Sequence, residues 1–181
     1  MSKTTWTIDP THSEVQFKVK HLVISTVTGH FSIYDGKVTT EESDWTTAQI
    51  LFSVNIDSIN TGQEQRDAHL KSADFFDAAN YPQMTFESTS IEKVSDDTYK
   101  LHGTLSIRDV SKPVTLNVEY GGQTTDFYGN QKAGFEINGK INRKEFGLTW
   151  NGVTEAGSIV VSDEVKLIAN IQLVKQVEQE A

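Results

Sequence analysis

Apolar and polar residues alternate with a period of two through most of this chain. Val15, Phe17 and Val19 share one side of a line whose other side carries Glu14, Gln16 and Lys18, the mark of a strand with one wet face. After a break from His21 to Ile24 the alternation resumes through Val27, Gly29, Phe31 and Ile33 to Asp35-Gly36. An Asp-Gly pair flanked by strand residues predicts a hairpin turn at that point. Ala48, Ile50, Phe52, Val54 and Ile56 form the next apolar row and lead toward the one stretch with a different period. Beyond Pro82, strands are predicted around Met84 and Phe86, then through Tyr99, Leu101, Gly103, Leu105 and Ile107. Pro113 reads as a strand start, where a missing donor is tolerated, and is followed by Val114, Leu116, Val118 and Tyr120 before Gly121-Gly122 opens a loop. Two further rows, Ala133 to Ile141 and Val165 to Leu173, bring the total to about eight strands.

The exception is Thr61 to Asp77. Thr61 with Glu64 three residues later matches a capping box and predicts a helix start near Gly62. Arg66, His69 and Leu70 then share one face, Asp67 is placed to pair with Lys71, and Pro82 ends any continuation. The expected fold is mainly β, a single eight-stranded antiparallel barrel with one short helical insertion at about residues 62–78 lying across its mouth. A sandwich is the alternative. Phe17, Phe31, Phe52, Phe86 and Phe135 are bulky inward residues, while Gly29, Gly103, Ala133 and Gly139 on the same faces leave room. A barrel of this strand number holds either a plug of side chains or one small ligand, and the pattern alone leaves both open. From Gly147 to Asp163 no period survives, and that stretch is read as a flap.

Composition narrows the function classes. The 181 residues suit one domain with a sizeable core. With 25 acidic against 16 basic residues the net charge is −9, which argues against a nucleic-acid partner. The chain has no cysteine, so disulfides, thiolate nucleophiles and cysteine-ligated zinc are excluded together. No run reaches transmembrane length, and the N-terminus lacks a signal-like apolar stretch, so a cytoplasmic location is expected for the chain as written, or a periplasmic one if a leader has been removed.

Trp6-Thr7-Ile8-Asp9-Pro10-Thr11-His12-Ser13, Gly29-His30-Phe31, Arg66-Asp67-Ala68-His69-Leu70, Asp74-Phe75-Phe76-Asp77, Tyr81-Pro82, Phe86-Glu87-Ser88-Thr89 and Asn142-Arg143-Lys144-Glu145-Phe146-Gly147 occur in that order. Together they resemble the YceI-like family of bacterial lipid-binding proteins over nearly the whole chain. The resemblance implies a lipocalin-like, elongated barrel at residues 1–174, followed by an acidic tail at 175–181. It also implies an apolar tunnel that binds a polyisoprenoid or a related long amphiphile, often in a homodimer. No cofactor, metal or catalytic residue is implied.

On this reading the tunnel wall is expected from Phe17, Val19, Phe31, Ile50, Phe52, Val54, Leu70, Phe76, Phe86, Leu105, Phe135, Ile137 and Phe146. A polar mouth is expected from His12, His21, Arg66, Asp67, His69 and Arg143, the two arginines presenting guanidinium forks to a head group. The plainer role for His12, Asp67 and the two arginines is an interlocked polar network anchoring the helix to the N-terminal segment. Two other functions stay in view: an enzyme using these histidines and carboxylates as acid and base, for which no G-x-S-x-G, Walker or zinc-helix motif is present, and a scaffold with a filled core.

Overall fold

In the computed structural model, residues 3–21, 25–42, 44–148 and 161–176 are described. Eleven strand segments form one antiparallel sheet: β1 (Lys3–Ile8), β2 (Glu14–His21), β3 (Ser25–Phe31), β4 (Tyr34–Glu41), β5 (Asp44–Asn55), β6 (Ile59–Asn60), β7 (Gln83–Lys93), β8 (Thr98–Ile107), β9 (Val110–Thr125), β10 (Gln131–Asn142) and β11 (Val161–Lys175). The order β1-β4-β5-β7-β8-β9-β10-β11 closes on itself because β1 also pairs with β11. That ring is an eight-stranded barrel. The additional segments arise because three strands are broken midway, β5 and β6 being one of them, along β4 and β3 in turn. β1 and β2 lie one after the other along β11, at Leu173 to Lys175 and Val161 to Asn170, separated by a 3-10 turn at Pro10–His12. β3 and β4 follow the same division.

Several local expectations fail for physical reasons. Asp35 and Gly36 are paired within β4, opposite Ser53 and Phe52; the chain turns instead after Glu41, where Glu42 takes a left-handed φ of 53°. Gly36 is a site of close approach, since a Cβ there would meet Ile8 Cδ1 at 2.5 Å. Gly121-Gly122 opens no loop: the register shift between Gly134 and Phe135 makes it a bulge, and β9 runs on to Thr125. Pro113 lies inside β9, opposite Thr104, and the pairing of β9 with β10 begins only at Asn117. Ile33, assigned to the inner face, is 59% exposed in the break between β3 and β4. A 3-10 turn at Ile56–Ser58 and the short β6 intervene between β5 and the helix.

The helix, α1, spans Glu64–Lys71 and has no side-chain cap. The expected capping box is displaced by Asp67, which turns back to accept from both the Thr61 N–H at 2.9 Å and the Thr61 hydroxyl. Asp67 is therefore committed to Thr61 and not to Lys71. Ser72 ends the helix, its hydroxyl and N–H both donating to the His69 carbonyl, and turns carry the chain on to Pro82. The flap expected between Gly147 and Asp163 falls mostly outside the described residues, as does the tail from residue 177 onward.

Antiparallel succession defines two barrel ends. At one end Arg108, in the two-residue turn between β8 and β9, donates to the Phe75 carbonyl at 3.4 Å and the Gly147 carbonyl at 3.2 Å, tying the post-helix turns to the 3-10 segment Arg143–Phe146. Phe75, Phe146 and Leu148 are buried there with Ile107 and Ile141 and fill that end. The β9–β10 turn belongs to the opposite end.

Candidate functional site

Between the filled end and the opposite one the barrel encloses a cavity of about 190 Å³. It exceeds the ~150 Å³ apolar void that in other proteins stays dry and takes up benzene. Of the expected wall, Phe17, Phe31, Ile50, Phe52, Val54, Phe86, Leu105, Phe135 and Ile137 border it. Val19, Leu70, Phe76 and Phe146 do not. Phe146 belongs to the filled end. Phe76 packs edge-on to Phe31 at 6.4 Å, and Leu70 and Val19 pack against the apolar core as half-buried residues.

The expected reason for hollowness is wrong in detail. A Cβ at Gly29 would lie 2.3 Å from Phe17 Cζ, one at Gly103 2.4 Å from Phe86 Cζ, and one at Gly139 2.5 Å from Leu116 Cδ2. The missing side chains give space to neighbouring side chains lying across the strands, so the void sits elsewhere.

Part of the wall went unforeseen. Trp45, Ala48, Met84, Tyr99, Leu101 and Leu173 also border the cavity. Trp45 and Ala48 are both buried though three residues apart, which strict alternation forbids. The register between β4 and β5 jumps from Thr39 opposite Gln49 to Glu41 opposite Asp44, and this bulge turns Trp45 inward. Its ring meets Trp6 at 5.1 Å, Phe135 at 4.8 Å and Tyr120 at 5.9 Å. This aromatic group forms the part of the barrel away from the filled end. Tyr99, also in the wall, has its phenol pushed above the ordinary value by burial, then by Tyr120 and Asp44, and so stays neutral.

The described polar residues are each engaged with partners inside the chain, Arg66 and Asp67 sharing Thr61. His12 Nδ1 donates to Asp9 Oδ2 at 2.8 Å on the exposed 3-10 turn, and Lys132 Nζ donates to the same oxygen at 2.7 Å. Lys132, then Thr11, hold the Asp9 carboxyl far below the usual carboxylate range. Arg66 donates through Nε to the Thr61 hydroxyl at 2.8 Å and through Nη2 to the Thr61 carbonyl. With Asp67 on the same residue, this pair fastens α1 to its own entry segment. His69 Nε2 donates to Asp74 Oδ2 at 2.9 Å, and its ring lies edge-on to Phe75 at 5.1 Å. Arg143 is only 2% exposed. It donates through Nε to the Ser162 carbonyl at 2.8 Å and through Nη1 to the Leu148 carbonyl at 2.6 Å, and burial lowers its pKa against the opposing effect of Asp163. Its guanidinium bonds backbone carbonyls at the filled end. The His21 side chain lies outside the described part.

Comparison with known proteins adds four findings. A family model described as the YceI-like domain matches residues 6–173. Protein YceI of Salmonella newport is 38% identical over 165 residues, covering 91% of this chain and 83% of that protein. Among solved structures, BcnA of Burkholderia cenocepacia superposes with a TM-score of 0.79 at 21% identity, over 91% of this chain and 98% of that one. A polyisoprenoid binding domain from Saccharophagus degradans has a TM-score of 0.65 at 17% identity, over 94% and 98%. The two structural likenesses concern the fold alone.

Proposed function

This chain belongs to the YceI-like family, and from that premise we propose that it is a non-catalytic binding protein for a long-chain amphiphile such as a polyisoprenoid. The observation that carries the reading is the cavity of about 190 Å³ bordered by apolar side chains inside a closed barrel. Each CH₂ moved from water into such a wall gains about 0.8 kcal/mol, whereas an exposed ion pair contributes roughly 0–1 kcal/mol. Affinity should therefore follow the length of hydrocarbon enclosed, and the polar groups around the barrel should contribute little beyond orientation. The Saccharophagus barrel, described as a polyisoprenoid binding domain, has the same fold. His12 and His69 stand outside the cavity wall, which favours binding over acid–base chemistry on a molecule held there.

Two measurements test this. Organic extraction of the purified protein followed by mass spectrometry should release a stoichiometric lipid. Protein stripped of that lipid should bind added isoprenoids with an affinity that rises with chain length until the cavity is full. An empty extract together with no uptake of any added isoprenoid would sink the proposal.

A further inference from the structure

The turn between β9 and β10 is built around one carboxylate. Asp126 Oδ1 accepts from the Tyr128 and Asn130 N–H groups at 2.9 Å each, and Oδ2 accepts from the Asn130 side-chain amide at 3.3 Å. The Asp126 N–H donates to the Asn130 carbonyl at 3.0 Å, and Gly129 supplies the left-handed φ of 83° that closes the loop. The turn is held by its own hydrogen bonds, and it directs two aromatic side chains into solvent: Phe127 at 105% exposure and Tyr128 at 90%.

This hairpin also outruns its neighbour. The last partner of β9 in β8 is Thr98, opposite Glu119, and its last backbone bond to that side runs from the Tyr120 N–H to the Asp97 carbonyl. From Gly121 to Gln131 the hairpin carries a single charged residue, Asp126. That carboxylate is folded into the turn with Lys132 Nζ 3.8 Å away. A chain of net charge −9 thus presents a nearly uncharged tip bearing two aromatic rings.

We infer that this tip docks the barrel on a phospholipid bilayer of zwitterionic head groups, with Phe127 and Tyr128 entering the head-group boundary. Each ring buries about 150–250 Å², well short of the roughly 800 Å² per partner that a stable protein interface needs. A bilayer sets no such area requirement and takes aromatic rings at head-group depth. The overall negative charge opposes anionic lipid and leaves neutral lipid as the matching surface. Docking at this end sets the Trp45–Tyr120–Phe135 part of the barrel, away from the filled end, toward the bilayer. The inference does not depend on what the cavity holds, because bilayer association is read separately from lipid uptake.

The test is flotation of lipid-stripped protein with phosphatidylcholine vesicles. The wild-type protein should float with them, and the double variant Phe127→Ser, Tyr128→Ser should lose at least about tenfold in partitioning with an unchanged circular dichroism spectrum. Ile33→Ser, which removes an exposed apolar side chain elsewhere, should float like the wild type. Replacing part of the phosphatidylcholine with phosphatidylglycerol should weaken binding. No flotation with neutral vesicles, or equal flotation of the double variant, overturns the inference. So does a result in which the two rings support only concentration-dependent self-association in sedimentation.

Discussion

Replacing Ala48 by Leu separates a hollow barrel from a filled one by the sign of a stability change. Ala48 is buried in the stretch of β5 between Trp45 and Ile50 and borders the cavity. Leucine adds three carbons at that position. If they enter a void of about 190 Å³, they gain up to about 2 kcal/mol at ~0.8 kcal/mol per carbon, which raises Tm by about 4–8 °C in a domain of this size. If the inward side chains interlock around Ala48, the same carbons overpack the core and cost about 1–3 kcal/mol, lowering Tm by a comparable amount. Calorimetry on lipid-stripped protein reads the sign, and isoprenoid binding is measured on the same samples. The expectation is a higher Tm with weakened binding, because the side chain takes space the ligand uses. A lower Tm with binding intact would refute the argument, since it would place the ligand elsewhere and leave the interior already full.

Three further variants probe side chains at the wall and outside it. Phe52→Arg places a charge in the cavity wall beside Tyr34, 6.1 Å away between ring centres, and should abolish isoprenoid uptake. Arg66→Ala releases the Thr61 anchor and should lower unfolding stability by about 1 kcal/mol while changing isoprenoid affinity less than twofold; titrations and urea melts of both variants compare the two, and a larger binding loss in Arg66→Ala would contradict the cavity-first energetics. Asp9, whose pKa is depressed in the fold chiefly by Lys132, contributes stability that is present above its unfolded pKa of ~3.9 and is lost as pH falls toward the folded value. Lys132→Met should therefore lower the urea midpoint at pH 6 and shrink the further loss between pH 6 and pH 2.5; parallel acid profiles for the two proteins would rule out this origin.

The barrel was legible in the chain because its signal is local. A strand with one buried face repeats every two residues, and the rows in β2, β8 and β10 are covered on one side as that period requires. The helical insertion was legible for the same reason, although its boundary moved when Asp67 took Thr61 as partner in place of the expected capping box. What required the tertiary structure was every feature set by two strands at once. The bulge that turns Trp45 inward depends on how β4 and β5 align, and no single strand records its partner's register. Gly29 and Gly103 look like gaps from their own strands and become seats for the Phe17 and Phe86 rings only when the neighbours are in place. Arg143 looks like a surface fork from its charge and proves to be a buried clasp on two carbonyls. Period and composition thus determine which face of each strand is apolar. Where the apolar faces leave a void, and which charges they enclose, is decided by packing between segments distant in the chain, where register and side-chain shape act together.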